Sequence, residues 1–444
     1  MLLLICICAE AEAQWYEKES KHFRVIYREN HSYLVGHILE SAELALDRLH
    51  TLFHYTPHEK IVINTYDVND YGAASTTTVP RNFIWLDLAP MEPGYENIPY
   101  TDRIRWLITH ELVHVAVNDL ATNAEAFNRS VFSKVAPEQI EPLSILYSVL
   151  TNFSRYTPRW HQEGIAIFLE TWLSGGYGRA LGNFDEMYFR SLVDEGKSFP
   201  NDINLETILP YRSFLVEGNY YLYGGRFATY LAKRFDPDKL LAWYTAYPSD
   251  FYLTFTTKFR RVFDADFDDV WNDFVRDEKA FQEENLATLK ASQLTPYRRL
   301  TMTPAGAVSQ PHLDGDGTTI YWGEHRPKYL ANIQRFDLNS SSSRELYTLP
   351  TPSLYHVAST AFDATSNLFF YTTNNNQLYR DIYVLDVKLE KSKLLFEDCR
   401  TGYLTVSGTT HELWGIRHNN GISILVYSPA PYDSLKELVH FDFG

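Results

Sequence analysis

Residues 110–114 read His110-Glu111-Leu112-Val113-His114, and this pentapeptide restricts the fold more than any other part of the chain. On a helix His110 and His114 lie one turn apart on one face, so both imidazoles can reach a single metal ion. Glu111, beside the first of them, faces the same cleft and can take a proton from a metal-activated water. With 15 histidines in 444 residues, chance supplies about 0.03 such pentapeptides per chain, so the competing reading is a buried, metal-free histidine pair. The run from Tyr100 to Leu120 suits a helix, with Pro99 and Thr101 at its start and Ile104, Leu107, Ile108, Leu112 and Val115 at helical spacing. Such a helix holds both histidines rigidly.

A catalytic zinc takes three protein ligands and leaves a fourth position open. A third ligand is available in Trp160-His161-Gln162-Glu163-Gly164-Ile165-Ala166. Glu163 opens a second helical pattern (Ile165, Ala166, Phe168, Leu169, Trp172) just after Thr157-Pro158. Gly164 and Ala166 are small enough to let this helix lie close beside the first. An acid in a first helical turn is also favoured by the helix dipole alone, and the residues leave the two readings level.

His-Glu-Leu-Val-His followed by Trp-x-x-Glu-Gly-x-Ala resembles the gluzincin metallopeptidases, the clan of thermolysin and the aminopeptidase N group, and more narrowly the bacterial peptidase-MA-like domains. The resemblance spans roughly residues 20–285 and implies His110, His114 and Glu163 as Zn²⁺ ligands with Glu111 as general base. Tyr221-Leu222-Tyr223-Gly224 through Tyr230-Leu231 is similar to the tyrosine-x-x-glycine stretch of the aminopeptidase N group. There a tyrosine hydroxyl steadies the oxyanion, a role worth a few kcal/mol in comparable sites. Aligning Gly224 selects Tyr221; Tyr220 and Tyr223 compete with it, as does an aromatic stripe packed in a core.

The chain also departs from that family. Thermolysin-like enzymes carry an aspartate four residues after the ligand glutamate to orient the first histidine, and here that position is Ile167. Asn118 and Asp119, just past the helix, are alternative orienting groups. No counterpart of the aminopeptidase anchor for a free N-terminus is evident, which favours endopeptidase over exopeptidase action.

Upstream, Phe23–Tyr27 and Lys60–Tyr66 read as strands around a helix from His31 to Phe53 whose Leu34, Ile38, Ala42, Ala45 and Leu49 share one face. The resemblance implies an edge strand before the active helix that pairs with an extended substrate; Asn82–Leu86 and the flanking Gly72-Ala73-Ala74 are the candidates. Glu138 to Phe153 is an apolar helical stretch that could cap the cleft, lie on a membrane surface or pack in the core, core or lid being preferred, and it is too short and too interrupted to span a bilayer.

After about residue 290 the pattern changes to repeated strands. Thr318–Trp322 with Ile333–Leu338 recurs roughly 48 residues on as Asn367–Tyr371 with Asp381–Asp386, and more weakly as Glu412–Ile416 with Ile422–Tyr427. This resembles a Tricorn or TolB type of β-propeller. About three blades are fewer than the usual closed ring of four or more, so a truncated propeller, or one completed by a partner, is expected.

The fold class is therefore α+β: residues 14–288 as a gluzincin-like metallopeptidase domain of mixed sheet plus active-site helices, then residues 289–444 as an all-β, incomplete propeller. A net charge of −16 without a basic cluster argues against nucleic acid. Leu2 to Cys8 and Ala11-Glu12-Ala13 look like the remnant of a signal peptide, residues 1–13, and point to the periplasm or cell surface of a bacterium. Cleavage there would leave Cys399 alone, without a disulfide, and no other transmembrane span is expected. The expected activity is a zinc-dependent endopeptidase acting on a peptide or protein, with the propeller contacting a protein partner. The alternative is a periplasmic scaffold that keeps a non-catalytic zinc site; metal-dependent hydrolysis of a non-peptide substrate is a third possibility.

Overall fold

The computed structural model describes residues 14–70, 72–89, 102–206, 219–301, 306–326, 329–349 and 359–441. Residues 1–13, expected above as a signal-peptide remnant, and Pro99, Tyr100 and Thr101 before the motif helix lie outside them.

The chain begins with β1 (Trp15–Glu19) and β2 (Phe23–Arg28), crosses over through α1 (Ser32–Phe53) to β3 (Ile61–Tyr66), and continues into β4 (Ala74–Thr77) and β5 (Phe83–Asp87). The five strands form one sheet in the order β1-β2-β3-β5-β4; β2, β3 and β5 run parallel, and β1 and β4 are antiparallel to their neighbours. The parallel centre needs cover, and α1 supplies it: Leu34, Ile38, Ala42, Ala45 and Leu49 are all buried, the face that the helical spacing predicts. The edge strand differs from one of its two candidates. The run at Phe83–Asp87 is interior, between β3 and β4, because Ile84 and Leu86 are apolar enough to be buried. The small, polar Ala74–Thr77 forms the free edge instead, as strand propensities and edge exposure favour.

Helix α2 (Arg103–Asp119) carries the motif and starts at Asp102, whose side chain accepts a hydrogen bond from the Arg105 backbone N–H at 3.0 Å. It is buried nearly all round, as a helix between a sheet and other helices must be. There follow α3 (Asn123–Phe132), α4 (Pro142–Thr151), α5 (Arg159–Leu173), α6 (Asn183–Asp194), α7 (Asp202–Glu206), α8 (Asn219–Arg234), α9 (Pro237–Tyr244), α10 (Phe255–Phe263) and α11 (Phe267–Ala291). Trp160 on α5 is the hub of their aromatic core, touching Phe227, Phe255, Phe267 and Trp271. The expectation that the apolar α4 packs in the core fails: only its Ser148 and Thr151 are buried, while Leu143 is 63% and nearby Ile140 89% exposed. Tyr147 packs at a tilt against Phe132 of α3, ring centroids 4.7 Å apart.

Among the described residues the remainder forms three antiparallel sheets. β6 (Ala307–Val308), β7 (His312–Leu313), β8 (Thr319–His325), β9 (Asn332–Asp337) and β10 (Ser342–Thr348) form the first, in which short β6 and β7 both pair with β8. The second is β11 (Thr360–Asp363), β12 (Leu368–Asn374), β13 (Arg380–Asp386) and β14 (Lys391–Phe396); the third is β15 (Thr401–Val406), β16 (Leu413–Asn419), β17 (Ile422–Ser428) and β18 (Lys436–Phe441). The repeats legible in the sequence are the two central strands of each of these sheets. Alternation along β12 shows how the blades stack: Phe369 and Tyr371 bury against Tyr321 and Ile333 of the first sheet, and Phe370 against Leu404 and Leu413 of the third.

Candidate metal centre

Helix α2 sets His110 and His114 on one face, and α5 crosses it so that Glu163 faces both. His110 Nε2 and His114 Nε2 are 3.1 Å apart, and Glu163 Oε2 lies 3.3 Å from the first and 3.2 Å from the second. Four ligands at zinc–ligand distances of about 2.0–2.1 Å on a tetrahedron are separated by about 3.3–3.4 Å, so these atoms mark out one face of such a polyhedron with the fourth corner left over. Among the described residues, His110, His114 and Glu163 form a cluster of three able to hold a metal ion. Glu163 Oε2 is buried and has no hydrogen-bond donor of acceptable geometry. An acceptor oxygen facing two ring nitrogens is what a cation in their midst satisfies.

The ring orientation of His110 is fixed from behind. Its Nδ1 is 2.7 Å from Glu170 Oε2, and Glu170 is completely buried on α5. Arg179 closes over the same carboxylate, with Nε 2.9 Å from Oε1 and Nη2 2.9 Å from Oε2. Arg179 Nη2 also lies 2.9 Å from His110 Nδ1; the carboxylate is the acceptor common to both, so Nδ1 keeps its proton and Nε2 is the nitrogen left for a metal ion. Burial opposes charge on His110, as does Arg179, yet the carboxylates of Glu163 and Glu170 prevail and raise its pKa to about 9, so at neutral pH the ring is a cation whose Nε2 proton a metal ion would have to displace. Burial likewise pushes Glu170 upward, but Arg179 and His110 overcome it and bring the carboxyl to about 2. Glu163 is held well below the carboxylate range: burial is outweighed by His114 and His110. Both glutamates are thus anionic at neutral pH, as metal ligation and its support require.

Glu170 is the residue that the sequence reading missed. The family pattern puts the orienting carboxylate four residues after the ligand, where Ile167 packs against Gly225 instead. Glu170 is seven residues after Glu163, two helical turns along the same face, and that spacing was the available signal. Asn118 and Asp119 do not take the role. Asp119 accepts from Tyr55, Asn82 and Lys134, tying the end of α2 to the sheet and to the segment after α3, and Asn118 reaches Gln162.

Glu111 is 4% exposed, and its Oε2 accepts a 2.5 Å hydrogen bond from Thr76 Oγ1 on the edge strand. The sheet edge and the general-base candidate are therefore in direct contact. Of the three tyrosines, Tyr223 is fully buried among Tyr188, Phe189 and Phe199. Tyr220 is engaged by Arg159, 3.0 Å from its hydroxyl. Tyr221 is half-buried, with its ring 4.9 Å from the Arg179 guanidinium and thus beside the group that supports His110. The close approach needed for this arrangement is made by glycines, with a different partner from the one expected. Gly164 meets α8, not α2: a Cβ there would lie 2.5 Å from the Gly224 carbonyl oxygen, and a Cβ on Gly224 would lie 2.1 Å from the Trp160 oxygen.

No protein-family model matches this chain, and no curated relative matches it. Solved structures that resemble part of it include TolB from Acinetobacter baumannii, at 15% identity and TM-score 0.26 over 30% of this chain and 32% of that one. The β-propeller domain of the Trilobed protease from Pyrococcus furiosus matches at 14% identity and TM-score 0.23, over 30% and 42% of the two chains. Pyrococcus horikoshii acylaminoacyl peptidase matches at 11% and 0.23, over 30% and 24%. The match spans well under two thirds of each. Among the described residues no helix is long and apolar enough to cross a membrane.

Proposed function

We propose that the protein is a zinc-dependent endopeptidase of gluzincin type, with His110, His114 and Glu163 as ligands. The observation that carries this reading is the triangle of ligand atoms with 3.1–3.3 Å edges, backed by the buried Glu170 carboxylate. A zinc ion held there would supply Lewis acidity to polarise a peptide carbonyl and make a water nucleophilic near neutral pH. Glu111 is the base that removes the proton of that water and returns it to the departing amine. Thr76 occupies its Oε2, which leaves Oε1 for the water. Tyr221 donates to the carbonyl oxygen as it gains negative charge. The free edge of β4 accepts an extended peptide by strand addition, recognising backbone rather than sequence. We place the protein in the periplasm or at the cell surface on its apolar leader, Leu2 to Cys8 with Ala11-Glu12-Ala13.

The test is digestion of an unbiased peptide mixture by zinc-loaded protein beside Glu111→Gln, with products read by mass spectrometry. Internal cuts made by the wild type alone are expected. If neither protein cuts while both hold zinc, the peptidase reading is overturned in favour of a scaffold with a non-catalytic metal.

A further inference from the structure

Strand β4 is four residues long and pairs on one side only, with β5. So short an edge holds little position by itself. Yet it carries Thr76, which grips Glu111, and it offers the edge on which an extended substrate would lie. What fixes it is found in the approach from β3. Asp67 and Asp70 stand between β3 and β4, and their side chains are 2% and 0% exposed.

Their partners come from the propeller blades, more than 300 residues away in sequence. Arg400 spans both: Nε donates to Asp70 Oδ1 at 2.6 Å, Nη1 donates to Asp67 Oδ2 at 2.9 Å, and Nη2 donates to the Asn69 carbonyl oxygen at 2.8 Å. The backbone N–H of Arg380 donates to Asp70 Oδ2 at 2.7 Å, the Asp70 N–H donates to the Leu378 carbonyl, and the Asn420 N–H donates to Asp67. Arg400 itself is held in a left-handed backbone conformation, φ +51°, and stacks on Tyr379. A non-glycine residue keeps such a conformation only where its surroundings demand it. Alongside, Tyr33 donates to the Asn420 carbonyl at 2.8 Å, and a Cβ on Gly421 would press on Tyr33 and Leu34.

We propose that the propeller blades position the substrate-side edge strand, and that Arg400 is the positioning residue. It pins Asp67 and Asp70, which pin the entry to β4, which sets Thr76 against Glu111. Without Arg400, two buried carboxylates lose their cation and are driven toward water; β4 loosens, while the ligand helices α2 and α5, held by their own core, stay in place. The catalytic consequence rests on the peptidase reading. The structural consequence does not.

The experiment uses the full chain as wild type, Arg400→Ala, Asp67→Asn and a control, Arg344→Ala, which removes an exposed ion pair with Glu390 elsewhere on the blades. Hydrogen–deuterium exchange is read at residues 74–77 and, for comparison, in α1 and α5; zinc affinity and peptide hydrolysis are measured on the same samples. The β4 amides are expected to exchange at least 10-fold faster in Arg400→Ala and Asp67→Asn but not in Arg344→Ala, with α1, α5 and zinc affinity unchanged within twofold. Hydrolysis should fall at least 10-fold in kcat/KM, mostly through KM. Unchanged protection of β4 in both variants overturns the proposal, as does acceleration spread equally over α1 and β4, which is loss of folding. An inactive wild type whose β4 still loosens in the variants counts against the peptidase reading and leaves this one standing.

Discussion

At His110 the two ring nitrogens have separate tasks: Nδ1 is held by Glu170, and Nε2 faces His114 and Glu163. Replacing Glu170 by Gln keeps the shape but withdraws the charge that stabilises both the Nδ1–H and Arg179. Zinc affinity should fall about 10–100-fold, as for comparable supporting carboxylates, measured by competition with a chromophoric chelator; an unchanged affinity would remove Glu170 from the site. Glu111→Gln is expected to lose about 10²–10⁴-fold in kcat while zinc affinity stays the same, which separates the base from the ligands. The His-Glu-x-x-His helix was legible because one metal ion needs two imidazoles a turn apart on one face; Glu163 was singled out by the resemblance, since its residues alone left it level with an acid favoured by the helix dipole. Glu170 was not, because a buried glutamate two turns along a helix is unremarkable until Arg179 folds over it.

On the scale of elements, α5 is positioned by contact between backbones. Gly164 and Gly224 let α5 and α8 approach until no Cβ fits between them. Gly164→Ala therefore forces the helices apart next to the ligand Glu163. A loss of about 1–3 kcal/mol in stability is expected from overpacking, together with weaker zinc binding, read by thermal unfolding with and without zinc. Equal stability of the variant and the wild type would contradict the close contact. Helix α1 was legible because it has one period and one buried face, and the central strands β8, β9, β12, β13, β16 and β17 because their apolar runs recur at a regular interval. The edge strand was left between two candidates, since sheet order is a tertiary fact. The placement of α4 was misjudged because apolar spacing says which face is apolar, not what covers it.

In the molecule as a whole, the sheet and the blades meet through buried charge. His418 on β16 lies at this junction, 4% exposed, and burial with Arg380, Arg103 and Arg400 nearby pushes its pKa down to about 3. Its folded pKa is below the unfolded value of about 6.5, so the native site refuses a proton that the unfolded chain accepts. Stability from this group is complete above about pH 6.5 and is lost as pH falls toward 3, at about 1.4 kcal/mol per pH unit. His418→Asn should flatten the stability profile by about 2 kcal/mol between pH 6.5 and 5, by denaturant titration at each pH; parallel profiles would mean that His418 is not held neutral. None of this junction was legible beforehand, because Asp67, Asp70, Arg380 and Arg400 are ordinary loop and strand residues until the two halves of the chain are brought together.

The measurement that bears most directly on the central claim is the zinc environment of the loaded protein, by anomalous diffraction at the zinc edge. One zinc is expected about 2.0–2.2 Å from His110 Nε2, His114 Nε2 and Glu163, with water in the remaining position. Zinc bound elsewhere, or at this site with a fourth protein ligand closing it to water, would contradict the account.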